Sequence, residues 1–365
     1  EDYYVGGRKI GSLHIGLSVV ATDVGGGFSI GLGGLGFAMG LSGSWMLFTG
    51  LVGAWMAAVI LIPRVKADPA FSSFFTFPQI IGYLFDSKAA KVSAIICFLG
   101  YLGFTSSQLL AGAKLASGTF PNLDMNTALL VMGVIAVVYT VMGGLKAVIY
   151  TDTIQWIILM LGLIGIGLPM AYSFVGGWKG ITDTLPPEFF SLTQLTWQDL
   201  VNWGITIVPI WFVGMTLYQR IFAARDVKSA KKAWFIAGLF EWPIMAFLGV
   251  SLGLLSRVAV EQGNLEHFTS QMDPEMGLPV LLSQILPAGL MGLMMSAYFS
   301  AVLSTADSCL MAASGNLTTD LIGKYFGQLS HAKEVRLSQV LTLMIGVLAV
   351  ILAWHMTEVL SLMLY

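Results

Sequence analysis

Nine apolar runs, each long enough to cross a bilayer, occupy residues 11–40, 44–63, 91–117, 126–143, 148–175, 200–218, 233–257, 280–308 and 337–355, and a tenth begins near Thr357. About 20 apolar residues in helical form span the hydrocarbon core. Backbone polar groups in lipid need internal partners, so runs this long predict an all-α polytopic membrane protein. Several runs exceed the minimum, which predicts tilted or broken helices. Composition agrees: 10% of residues are charged and 56% hydrophobic, against ~25% charged in soluble domains. Too few polar side chains remain to cover a soluble globule of 365 residues.

The same composition excludes several function classes. The net charge is −2 and no basic array is present, so nucleic acid is not an expected partner. Cys97 and Cys309 lie in apolar segments far apart and read as small buried residues rather than a disulfide or metal site. The four histidines have no metal-ligand spacing. No signal peptide is visible. The chain opens on a polar, loop-like run from Glu1 to Lys9 and stops at Tyr365, a few residues into a new apolar segment. Both ends therefore read as truncated, and the oligomeric state is not legible.

Basic residues orient the runs. With the start of the first run in the cytoplasm, Arg8, Lys9, Arg64, Lys66, Lys88, Lys91, Lys146, Arg220, Arg225, Lys228, Lys231, Lys232, Lys324, Lys333 and Arg336 all fall at cytoplasmic ends. Lys179 and Arg257 fall outside. Lys114, near the outer end of its helix, is expected to snorkel to the interface. This is the positive-inside pattern of a multi-pass protein of the cell membrane. The connection 259–280 is expected to carry a short surface helix. Counting spans then gives two halves of five helices, 8–176 starting inside and 198–365 starting outside. Five is odd, so the halves have inverted topology, a frequent transporter arrangement. Each half opens on an interrupted helix: a glycine run in the first, and Gly204, Pro209 and Gly214 in the second.

The first interruption holds a carboxylate. The segment reads Ala21-Thr22-Asp23-Val24-Gly25-Gly26-Gly27 and continues through Gly31, Gly33, Gly34 and Gly36. An ionisable side chain at mid-membrane costs roughly 2.5–3.5 kcal/mol on insertion scales. Each glycine costs about 1 kcal/mol relative to Ala inside a helix. A segment accepting both penalties is expected to be unwound, with freed carbonyls or broken ends open to an ion or a substrate. The plainer alternative is a glycine packing face with one stray Asp.

Two further segments carry polar chemistry. In Ser300-Ala301-Val302-Leu303-Ser304-Thr305-Ala306-Asp307-Ser308, helical spacing puts Ala301, Ser304 and Ser308 on one face, with Thr305 flanking. Hydroxyls, a carboxylate and a loosened carbonyl form a hard, oxygen-only surface suited to alkali or alkaline-earth cations. Hydroxyls bonded back to their own helix would explain the Ser and Thr but not Asp307. The other segment is the turn Gly143-Gly144-Leu145-Lys146 followed by Tyr150-Thr151-Asp152-Thr153-Ile154-Gln155. Asp152 lies about six residues into that helix, roughly 9 Å along its axis.

Together these segments resemble the sodium/solute symporter family, which includes sodium/proline, sodium/glucose, sialic acid and choline transporters. The matching residues are Gly6-Gly7-Arg8, the glycine-broken first helix, Thr151-Asp152-x-x-Gln155, Ser304-Thr305-Ala306-Asp307-Ser308, and Gln219-Arg220 with Ala223-Ala224 and Lys228. The resemblance implies the LeuT-type five-plus-five inverted repeat over essentially the whole chain. It implies a shared sodium site formed by carbonyls of Ala21, Val24 and Ala301 with hydroxyls of Ser304 and Thr305. Some members hold a second sodium nearer the cytoplasm, which here maps to Asp152, Ser304, Asp307 and Ser308. Asp307 stands where some of those members carry Ser. The substrate lining maps to Asp23, Phe28, Trp45, Ser107, Gln108 and Trp211, with Asp23 facing an amine and the tryptophans available either for cation–π contacts or as interface and packing aromatics. The segment before Gln219-Arg220 lacks the Asn-Gln pair of sugar transporters. Glu241, before Pro243, is a further buried acid without an assigned role.

The resulting expectation is a sodium-coupled symporter that imports a small polar organic solute, an amino acid or amine-bearing compound, by alternating access. It is not expected to be an enzyme, and Na+, the solute and the lipid bilayer are its partners. Two alternatives stay open at the level of sequence: a transporter-like sensory domain attached to a signalling protein, and a proton-coupled transporter using Asp23, Asp152 or Asp307.

Overall fold

A computed structural model describes residues 9–26, 30–71, 74, 76–120, 122–142, 145–265, 273–322 and 331–360. The first span is α1 (Ser12–Gly26) followed by α2 (Leu32–Met39). Gly25 breaks α1 with φ 45°, a left-handed conformation that glycine adopts without a Cβ penalty. Then come α3 (Trp45–Ala67), the short α4 (Phe77–Leu84) and the long α5 (Ser87–Thr119). After α6 (Met125–Met142), α7 (Leu145–Gly162) passes through a π turn into α8 (Leu168–Phe174). An outer connection carries α9 (Gly177–Thr184).

The sixth span is a bent pair, α10 (Trp197–Val213) and α11 (Met215–Ala223), inclined at 41°. Its break falls at Gly214, which is extended (φ −62°, ψ 117°). Gly204 and Pro209, expected to share the interruption, lie inside α10. The seventh span is α12 (Val227–Leu239), a π turn over Phe240–Met245, and α13 (Ala246–Glu261). The eighth differs from expectation. A separate α14 (Gly277–Ile285) precedes the spanning α15 (Ala288–Gly315), so the run 280–308 is not one helix. Pro287 supplies the reason: a proline disfavours helical backbone at the preceding residue, and Leu286 is extended (φ −88°, ψ 131°). The last is α16 (His331–Trp354).

Polar caps fix where several helices leave water. Asp86 accepts the backbone N–H groups of Lys88 and Ala89, Asp226 that of Ser229, and Asp124 those of Asn126 and Thr127. Thr196 and Asp199 form a reciprocal capping box at the start of α10. Hydrogen bonds from Thr127, Thr196 and Ser229 hold the carboxyls of Asp124, Asp199 and Asp226, respectively, below the usual range.

Amphipathicity is inverted relative to a soluble protein. Ile96, Val134, Leu161 and Ile205 are exposed, whereas Thr105, Ser106, Ser107 and Gln108 are fully buried on α5. Lipid is the solvent on the outside, so the polar stripe turns inward. Packing divides the spans into two groups: α1, α3, α10 and α12 pack together, as do α5, α6, α15 and α16. The seam between the groups includes the contacts of α1 with α15 and α7. On the cytoplasmic side the chain entering α1 is tied to the end of α11, the Ile10 N–H donating to the Ala223 carbonyl at 3.2 Å and the Arg225 N–H to the Ile10 carbonyl at 3.2 Å.

Candidate functional site

The seam holds the oxygen cluster. Ser304 Oγ donates to the Ala301 carbonyl at 3.1 Å. Thr305 Oγ1 donates across the seam to the Ala21 carbonyl (3.1 Å) and back to that of Ala301 (3.2 Å). Thr305 is fully buried, and Ser304, Ala21 and Ala301 are nearly so. Four of the five residues expected at the shared sodium site thus lie together. The fifth, Val24, has its backbone one turn further along α1, next to the Gly25 break, and its side chain is outside what the structure describes. A Cβ on Gly25 would stand 2.5 Å from Thr305 Oγ1 and 2.8 Å from Gln108 Oε1, so any other residue here would collide with both. Glycine is required here for close approach as well as for its φ.

Just cytoplasmic to this cluster, Asp307 and Ser308 are fully buried on α15. Ser308 Oγ accepts from Arg220 Nη2 at 3.1 Å. Arg220 is fully buried in α11 and donates also to Ser18 Oγ (3.1 Å), Thr22 Oγ1 (2.6 Å) and the Thr216 carbonyl (3.2 Å). One guanidinium therefore joins α1, α11 and α15, which suits the several fixed donors of Arg. Asp152 lies on α7, which packs against both α1 and α15; its side chain is outside what the structure describes.

The residues expected to line the substrate site are distributed. Ser107 and Gln108 are fully buried on α5, Gln108 Nε2 donating to Ser107 Oγ at 3.3 Å. Gln108 reaches the Gly25 break, as its distance there records. Asp23 has its backbone in α1 two residues before that break, its side chain being outside what the structure describes, and Phe28 lies wholly outside the described residues. Trp45 opens α3 on the outer side, its Nε1 donating to the Leu192 carbonyl at 2.9 Å and its ring stacked 6.3 Å from Trp242. Trp211 is fully buried, edge-on to Trp234 at 6.4 Å and packed against Gly53. Both tryptophans thus have packing partners. Glu241 is fully buried in the π turn of the seventh span, against Gly50.

Sequence reasoning missed Tyr101. Its hydroxyl meets Thr216 Oγ1 at 3.1 Å and accepts the Thr216 N–H at 2.9 Å, satisfying a backbone donor freed by the Gly214 break. A cavity of about 200 Å³ beside it is lined by Thr22, Cys97, Tyr101, Phe104, Gly214 and Cys309, among others. Cys97 and Cys309 are free thiols, and both face this space. The sequence signal was an aromatic hydroxyl two turns before Gln108, on the helix that carries Ser107 and Gln108.

A broken first helix facing an oxygen-lined eighth, inside a multi-pass bundle, defines an ion-coupled secondary transporter. The family model for the sodium:solute symporter family matches residues 3–365, and the chain belongs to that family. It is 29% identical over 97% of its length to the osmoregulated proline transporter OpuE of Bacillus subtilis (strain 168), covering 72% of that protein. It is 28% identical to the high-affinity proline transporter PutP of the same organism, over 97% of this chain and 75% of that one. Sodium/glucose cotransporter 1 of Oryctolagus cuniculus is 26% identical over 96% of this chain and 58% of that one. The fold matches a Na+-coupled sialic acid symporter solved in a substrate-bound outward-open state, with TM-score 0.80, 20% identity and coverage of 97% and 76%. The fold is therefore LeuT-type. The protein is a multi-pass plasma-membrane protein and a sodium-coupled symporter of small organic solutes.

Proposed function

We propose that the solute is a small amine-bearing compound of the amino-acid type, imported with sodium by alternating access. The observation that carries the sodium part of this reading is the Thr305 Oγ1 bond to the Ala21 carbonyl across the seam. It supports a sodium site of Ala21, Val24, Ala301, Ser304 and Thr305 that closes the seam between the two helix groups when filled. Hydroxyls that now donate to carbonyls would turn their lone pairs toward the cation, and the carbonyls released by the Gly25 break would do the same. Sodium binding would then raise solute affinity through a coupling of typically 1–3 kcal/mol, and loss of sodium to the cytoplasm would reverse it. No covalent chemistry is involved.

The solute class rests on Asp23 beside the break and on the proline transporters among the relatives. In this reading Gln108, with Ser107 behind it, provides uncharged polar contacts, and Phe28, Trp45 and Trp211 complete the proposed lining. A second sodium at Asp152, Ser304, Asp307 and Ser308 is part of the proposal, as is the division into inverted repeats 8–176 and 198–365. The test is uptake into proteoliposomes of a panel of labelled amino acids, sugars and quaternary amines under an inward sodium gradient. Uptake of an amine-bearing solute that collapses with the sodium gradient is expected. Sodium-driven uptake confined to neutral sugars would overturn the solute class. Uptake driven by a pH gradient alone would overturn sodium coupling.

A further inference from the structure

A groove on the lipid-facing side, at the cytoplasmic end of the bundle, lies outside the transport site. It is an open slot of about 780 Å³ along α12, bounded on one side by Trp55 of α3 and lined also by Lys228, Lys231, Lys232, Phe235 and Leu239, among others. Helical spacing places Lys228, Lys231/Lys232, Phe235 and Leu239 in one stripe along α12. The stripe is cationic in its first turn and apolar thereafter. From residue 228 to 239 it rises about 16 Å, which is roughly half the thickness of a hydrocarbon core. With the lysines at headgroup level, the apolar part beyond Lys232 reaches about 10 Å into the cytoplasmic leaflet.

Its walls are preformed. The Trp55 Nε1–H donates to the Phe235 carbonyl at 3.3 Å, and the two rings meet edge to face at 5.8 Å. A Cβ at Gly238 would stand 2.7 Å from Trp55 Nε1, so the indole approaches α12 this closely only because glycine is there. The charges at the mouth are uncompensated. Among the described residues, none of Lys228, Lys231 and Lys232 has a hydrogen-bond or ion-pair partner. The nearby Asp226 is engaged with the guanidinium of Arg225 (3.1 Å) and the Ser229 N–H (2.7 Å). The positive-inside rule accounts for lysines at this level, but not for three that open onto one apolar slot.

We propose that this groove binds an anionic phospholipid of the cytoplasmic leaflet, with the phosphate between the lysines and an acyl chain along Phe235, Ile236 and Leu239. Basic pockets between spanning helices on the cytoplasmic side suit such headgroups. The groove lies on helices of one packing group, so a bound lipid would fasten α3 to α12.

The test compares full-length protein in detergent by native mass spectrometry, titrated with phosphatidylglycerol or chain-matched phosphatidylcholine. Wild type is expected to retain phosphatidylglycerol selectively. Lys228→Gln/Lys232→Gln should weaken that retention about 25-fold, from about fivefold per lysine. Lys88→Gln/Lys91→Gln removes equal charge from the same interface, outside the groove, and should change little. Leu239→Trp keeps every charge, fills the slot from an exposed position, and should also lose the lipid. Equal loss in both lysine pairs, or no loss in either, would show a diffuse surface effect and overturn the proposal. Displacement by excess glycerol phosphate would show that only a free anion is recognised, and would overturn it too.

Discussion

Lys114 and Glu275 form a buried ion pair at the outer end of the bundle, Nζ to Oε2 at 2.5 Å. Asp273 takes the same ammonium group, while the Glu275 carboxylate also accepts the backbone N–H groups of Val359 (3.0 Å) and Leu360 (3.3 Å). The contact continues into the first span. A Cβ on Gly34 would stand 2.9 Å from Glu275 Cγ, and Gly31 faces the side chain of Leu360. One carboxylate thus fastens α5, the approach to α14, α2 and the segment that follows α16. Lys114 does not snorkel: it is 1% exposed, because two acids come down to meet it.

Glu275→Gln should therefore lower stability by about 3 kcal/mol, the lower end for breaking a buried pair, since Asp273 remains. The detergent melting temperature reports this directly. Lys114→Met should also destabilise, because it leaves two carboxylates facing each other. An unchanged melt in both variants would mean that the pair contributes nothing to the outer end.

Ser304→Ala/Thr305→Ala removes two hydroxyl oxygens from the seam while keeping a good helix former on α15. The sodium concentration for half-maximal uptake should rise by at least about tenfold, equivalent to about 1.4 kcal/mol. Membrane insertion should persist. Sodium dependence identical to wild type in the double variant would remove these hydroxyls from the ion site.

The general architecture was legible because its signals are local. Span length, the lysine and arginine bias, and glycine runs are each read within about 20 residues. The break at Gly25 belongs to this class, and so does the oxygen face of α15. Gly214 was legible as one of three candidates, and only the structure separates it from Gly204 and Pro209, both inside α10. The Pro287 stop was missed because apolar residues on both sides made 280–308 look continuous. Pairings between distant segments were not legible at all. Tyr101 with Thr216, Arg220 with Ser18 and Ser308, and Lys114 with Glu275 are set by packing geometry, not by spacing.

Asp23→Asn tests the solute class. A carboxylate meeting an ammonium group gives a charge-assisted hydrogen bond worth roughly 1.5–3 kcal/mol. Its loss should weaken solute affinity about 10- to 150-fold. Sodium binding measured without solute should change much less, since five other oxygens are assigned to the ion. Loss of solute-free sodium binding, with solute affinity intact at saturating sodium, would give the carboxylate to the ion instead.

Ser308 is claimed by two cations, and variants can separate the claims. Its hydroxyl accepts from Arg220 at 3.1 Å, and it is also among the residues proposed for a second sodium. Arg220→Lys keeps the charge but replaces a planar donor set with one ammonium, which cannot span Ser18, Thr22 and Ser308 together. Each charged hydrogen bond lost costs about 1.5–3 kcal/mol, so maximal uptake should fall by at least about tenfold. The sodium-to-solute ratio should stay unchanged, because arginine is no ligand. Ser308→Ala behaves differently under the two claims. If Ser308 serves only Arg220, the variant is a milder copy of Arg220→Lys with an unaltered ratio. If it also holds sodium, the reversal potential in proteoliposomes should move toward one fewer sodium per solute, as it should for Asp307→Ala but less so for Asp307→Ser. A wild-type reversal potential in Ser308→Ala and Asp307→Ala together would leave a single sodium site, with Arg220 as the fixed positive charge beside it.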